Sequence, residues 1–115
     1  MAVSVSATGT AGAAVTLTLP APSSQQFHRV LALEIVAFTT AARVGSATPV
    51  VVSTTGLVGT PSFTMSSAGA VGSREVQSLN LSPAWLESAY GTAVTIVCPA
   101  TTSVIWRVNI NYETA

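Results

Sequence analysis

Lysine and aspartate are absent from this 115-residue chain. Its charges are four arginines (Arg29, Arg43, Arg74 and Arg107) and four glutamates (Glu34, Glu75, Glu87 and Glu113). Together they make 7% of the sequence, where an ordinary soluble protein carries about a quarter. Phosphate backbones demand clustered positive charge, so a neutral chain is not expected to bind nucleic acid. Acidic tails and charged linkers need charge blocks, and none is present. One cysteine, Cys98, excludes an intramolecular disulfide framework. With one histidine and no aspartate, most metal cages and catalytic constellations cannot be assembled, and no cofactor is implied. Long hydrophobic runs are missing too. The longest, residues 30–38, is interrupted by Glu34 and falls short of the about 20 apolar residues of a spanning helix. The start of the chain has no basic residue before an apolar stretch, so neither a secretory signal nor a membrane partner is read, and a cytoplasm is the expected site of synthesis.

What fills the chain instead is 18 alanines, 16 valines, 16 threonines and 14 serines. Valine and threonine are β-branched and pack well on a pleated surface. Glycine, proline and serine clusters recur between short alternating runs, the pattern of strands and turns. Val15, Leu17 and Leu19 share one face, with Thr16 and Thr18 on the other. Val104, Trp106, Val108, Ile110 and Tyr112 alternate with Ile105, Arg107, Asn109, Asn111 and Glu113, the cleanest period-two signal in the sequence. About eight short strands predict one all-β domain, an antiparallel β-sandwich of jelly-roll type. Residues 1–12 are read as an N-terminal arm or edge strand and residues 13–115 as the sandwich. Residues 66–73 are small and read as a loop. Ser82 and Pro83 match the cap and first position of a single helical turn before Gly91.

The longest predicted strand spans residues 27–40. Strict alternation puts Leu31, Leu33 and Ile35 on one face and Val30, Val36 and Phe38 on the other. Leu31, Ile35 and Phe38 also fit a helical stripe, but the β-branched Val30, Ile35 and Val36 favour strand. A strand apolar on both faces is central in a sandwich or covered by a second subunit. Glu34, in its middle, needs a partner if buried.

The candidates for chemistry are few. His28 and Glu34 are about 20 Å apart along one strand, too far for a dyad, and His28 is expected to be partly exposed. Cys98 alternates with Val94 and Ile96 and reads as a small buried hydrophobe. Arg107, across a hairpin, is the one cation in the sequence placed to activate it. No nucleophile elbow or phosphate-cradling glycine motif occurs, so an enzyme is not expected. Aromatic residues and arginine are enriched at interface cores. The candidate interface residues are therefore Arg74, Trp85 and Tyr90, with Val36 and Phe38 from the doubly apolar strand.

Two stretches carry a family resemblance. Residues 45–57, GSATPVVVSTTGL, and residues 97–109, VCPATTSVIWRVN, resemble small lysine-poor structural proteins encoded among the head genes of tailed bacteriophages. The resemblance implies a capsid decoration, or cement, protein that sits outside the major capsid protein lattice, often as a homotrimer, and reinforces the shell. Its location would be the capsid exterior of a virion assembled in the host cytoplasm. The shared stretches are strand and turn sequences, and no catalytic residue is transferred. Two other readings compete. One is a phage tail or fibre module. The other is a carbohydrate-binding sandwich that stacks sugars on Trp85, Tyr90 or Trp106.

Overall fold

Alternating β-branched residues close into strands wherever each face finds a partner. A computed structural model describes residues 2–44, 49–66 and 68–115, and among these the chain forms nine strands and no helix. Met1 and Ser67 lie outside the described residues, as do Gly45, Ser46, Ala47 and Thr48 at the head of residues 45–57. The strands are β1 (Val3–Thr8), β2 (Val15–Leu19), β3 (His28–Thr39), β4 (Val50–Thr55) and β5 (Phe63–Met65). They continue with β6 (Arg74–Asn80), β7 (Leu86–Glu87), β8 (Val94–Cys98) and β9 (Val104–Thr114).

One rule generates the pairing. β1 pairs with β9, β2 with β8, β3 with β6 and β4 with β5, all antiparallel, so the chain is one long hairpin with its tip between β4 and β5. Rolling that hairpin sets β9 beside β3 and β8 beside β4. The result is sheet A, in the order β1-β9-β3-β6, and sheet B, in the order β2-β8-β4-β5. This is the strand order of a jelly-roll sandwich. The two-residue β7 stands outside the scheme and pairs with Arg29 and Val30 of β3. Val3–Thr8 is an edge strand of sheet A. β1 matches β9 from Val3 opposite Tyr112 to Thr8 opposite Arg107. Beyond it the Gly9 and Gly12 N–H groups donate to the Trp106 and Val104 carbonyls.

The core lies between the sheets. Val15, Leu17, Leu19, Val52, Val94, Ile96 and Cys98 of sheet B meet Val30, Leu33, Ile35, Trp106, Val108 and Ile110 of sheet A. Trp106 is fully buried, and its indole N–H donates to the Pro99 carbonyl at 2.9 Å. Burial of this kind is worth about 1.5–3 kcal/mol for each large side chain.

Three expectations are corrected. The register of β3 against β9 slips between Val30 and Ala32. That bulge turns Val30 inward with Leu33 and Ile35, and Leu31 does not share their face. Strict alternation had placed Val30 with Val36 and Phe38. The predicted helical turn after Ser82 is absent, because Leu86 packs on the core and its backbone pairs with Val30. A capping signal yields when an apolar neighbour finds a sheet edge. Finally, Cys98 and Arg107 do not face each other across a hairpin. β8 belongs to sheet B and β9 to sheet A; Cys98 points into the core and Arg107 out to solvent.

Gly56, just after β4, has φ +86°, and a methyl group there would collide with the Ala93 carbonyl. Gly12 has φ +79° but open space around it. Gly56→Ala should therefore cost well above about 1 kcal/mol and Gly12→Ala about 1 kcal/mol. The comparison of their urea midpoints checks the ranking.

Candidate interaction face

The pairing register builds the outer face of sheet A rung by rung. Arg29 of β3 stands between Glu113 of β9 and Glu87 of β7. The next rung is Ser4, Asn111, Ala32 and Asn80, followed by Ser6, Asn109, Glu34 and Ser78. Then come Thr8, Arg107, Val36 and Val76, and last Ile105, Phe38 and Arg74. Arg29, Glu34, Arg74, Glu87, Arg107 and Glu113 are six of the chain's eight charges. The outer face of sheet B presents Thr16, Thr18, Val51, Ser53, Thr55, Thr64, Thr95 and Val97, with no charge.

The middle of the sheet A face is polar. Asn109 Nδ2–H donates to Glu34 Oε1 at 3.1 Å, which supplies the partner that Glu34 was expected to need. Asn111 Nδ2–H donates to Ser4 Oγ at 3.0 Å. Ala32 sits between the longer Asn111 and Asn80, and its small side chain leaves an open trough of about 430 Å³ over these two rungs. A second depression, of about 470 Å³, shares Glu34 and Asn109 and continues over Val36, Phe38, Arg74 and Arg107.

The two ends of the face differ. At one end Val36, Phe38, Val76 and Ile105 form an apolar patch flanked by Arg74 and Arg107, with Phe38 37% exposed. At the other end the Arg29 guanidinium lies 4.5 Å from the Trp85 ring and 5.3 Å from the Phe27 ring, and pairs with Glu113 at 3.2 Å. Tyr90, 66% exposed, meets Phe27 edge-on at 5.3 Å. The candidate interface residues thus fall into two groups: Val36, Phe38 and Arg74 in one, Trp85 and Tyr90 in the other. Trp106, expected as a sugar-stacking surface, is buried and offers none. Sequence reasoning did not find the Arg29–Trp85 contact or the Glu34–Asn109 pair. Its one clue was the outward row of Arg107, Asn109 and Asn111 in the last strand.

The reactive side chains are turned to structural ends. His28 is buried, not partly exposed, because its ring points inward against the Pro20 carbonyl after β2 and against Tyr112 and Thr114 of β9. Its Nε2 faces the Pro20 carbonyl at 2.7 Å and its Nδ1 the Thr114 hydroxyl at 3.0 Å. A carbonyl only accepts, so Nε2 carries a proton; in the neutral ring Nδ1 accepts from Thr114. Tyr112 packs edge-on against the ring at 5.2 Å. Cys98 is buried, and desolvation pushes its thiol up from 9.0 to about 12. Among the described residues no three metal-ligating side chains converge.

The chain matches no family model, no curated protein and no solved structure.

The Cys98 shift has a consequence for stability. The folded thiol keeps its proton up to about pH 12, whereas the unfolded chain releases it near 9.0. Stability from this group is full below that pH and is lost as pH rises toward 12. Urea midpoints should fall between pH about 8 and pH about 11, and Cys98→Val should show a smaller fall.

Proposed function

We propose that this chain is a non-enzymatic virion structural protein: a decoration protein that binds the major capsid protein on the outside of a tailed-phage head and stabilises the shell. The apolar end of the sheet A face carries the reading. Val36, Phe38, Val76 and Ile105 cluster on the outer face of sheet A, with Phe38 and Val76 exposed and Val36 and Ile105 half-buried. Contiguous exposed apolar surface marks a protein contact, and a cyclic oligomer presents one such patch repeatedly around an axis. The self-association proposed here is a homotrimer with Phe38 at the contact and Arg74 at its rim. The uncharged outer face of sheet B supports the reading from the other side, since threonine, serine and valine are set against a shell without desolvating a charge. His28 and Cys98 are held in structural contacts, which fits a protein without catalysis.

Two measurements test this. Light scattering should find a trimer, and the double variant Phe38→Ser, Val76→Ser should be a monomer with its strand spectrum intact. Imaging of the particle that carries the chain should place it on the outer shell. Density in the tail would favour a tail or fibre module and overturn the head reading.

A further inference from the structure

We propose that the polar trough on the outer face of sheet A is a binding site for a neutral oligosaccharide; this inference does not rest on the virion reading. The trough's chemistry comes from two adjacent rungs. Glu34 accepts from Asn109 through Oε1 only, so among the described residues Oε2 has no protein donor and stays available. Asn109 and Asn111 each spend one amide N–H within the sheet and keep their carbonyl oxygens for a ligand. Asn80, on the edge strand, adds a further amide, and Ser6 a hydroxyl.

Donors and acceptors therefore alternate over a few ångströms, which suits groups that both give and receive hydrogen bonds. Sugar hydroxyls do so. A carboxylate oxygen beside an amide can accept from one hydroxyl of a vicinal diol while the amide serves the next. The side chains are also preorganised, since each bond inside the sheet fixes a rotamer before a ligand arrives.

The surroundings narrow the class. No arginine lines the trough, so an anionic ligand would meet Glu34 without a counter-charge. No large apolar side chain points up from these two rungs to anchor a peptide. The volume of about 430 Å³ lies within the usual range for small-ligand sites. One rung beyond Asn111, Glu113 pairs with Arg29, and Arg29 lies against Trp85. Trp85 is 42% exposed. Arg29 covers one face of the indole, so an oligosaccharide lying along β3 would meet hydrogen-bonding groups first and the exposed remainder of Trp85 at its end.

The experiment uses the intact chain on a printed array of neutral and acidic glycans, followed by NMR titration of the best binder. The expected result is capture of a neutral glycan, with shifts concentrated in the amides of Asn80, Asn109 and Asn111. Glu34→Gln, which keeps the shape but turns an acceptor into a donor, should raise Kd by about tenfold or more. Asn80→Ala, at the sheet edge, should weaken binding without disturbing the fold and serves if Glu34→Gln fails to fold. Thr95→Ala, on sheet B, should bind as the parent does. Four results would overturn the proposal: no glycan captured, capture of acidic glycans alone, shifts that lie away from the trough, or binding unchanged in folded trough variants. Trough shifts that follow protein concentration without added sugar would assign the surface to a second copy and overturn it as well.

Discussion

The antiparallel ladder between β3 and β9 is the constraint on which the rest of the molecule depends. It runs from His28 opposite Thr114 to Thr39 opposite Val104 and forms the middle of sheet A. The neighbours across the middle of the outer face are products of that register: Arg29 with Glu113, Glu34 with Asn109, Val36 beside Arg107 and Phe38 beside Ile105. So is the placement of His28, whose ring reaches both Thr114 and Tyr112 because the strand ends meet there. A shift of one residue would invert one strand against the other, turning Trp106 outward and Arg107 and Glu113 inward if β9 slips, or Ile35 outward and Arg29 and Glu34 inward if β3 does. The inner side forbids that slip, since burying two unpartnered charges costs far more than any alternative pairing could return. The outer face is thus fixed by what the inner face cannot tolerate.

The same logic divides the charges. No charge takes a fully buried core position; Glu75, opposite the inward Ala37 on edge strand β6, is half-buried and bonds Ser66, and the outer positions of sheet B are taken by short hydroxyl and methyl side chains. Six of the eight charges are left on one face, although they lie far apart in the sequence, from Arg29 to Glu113. A neutral total therefore hides a two-sided molecule. One side orders cheaply, because threonine, serine and valine have little side-chain freedom to lose. The other side carries the residues able to discriminate between partners.

Period-two alternation was legible where it is strict. Val15, Leu17 and Leu19 face inward and Thr16 and Thr18 outward, and the last strand alternates from Val104 onward as its sequence indicates. The β-sandwich class followed from such runs. The bulge at Val30 was not legible, because an inserted residue leaves no mark in a strand where Val30, Leu31 and Leu33 are all apolar. Leu86 was misread for a related reason: serine and proline offer a local helix start, but the sheet edge that captured Leu86 comes from residues far away in sequence. The sites are non-local in the same sense. Nothing near Glu34 in the chain names Asn109, and nothing near Trp85 names Arg29. Trp106 lies on the apolar phase of an alternating run, and that phase is inward as the run indicates; that Pro99 receives its N–H shows only in the fold.

The layout of the sheet A face bears on whether two roles can share it. Apolar side chains occupy the rungs of Val36 and Phe38, polar ones the rungs of Glu34 and Ala32, and the aromatic cluster lies beyond Glu113. Rungs on one face are about 7 Å apart along a strand, so the centres of the apolar end and of the polar trough are separated by only about two rungs. Glu34 and Asn109 border both depressions. A partner seated on Phe38 would therefore reach the wall of the trough without filling it. Contact at the apolar end would shield Glu34 from bulk water and strengthen its hydrogen bonds, since electrostatic interactions grow as the local dielectric falls. Assembly and ligand binding on this face would then be coupled through a single carboxylate: neighbouring sites, with Glu34 as their common wall.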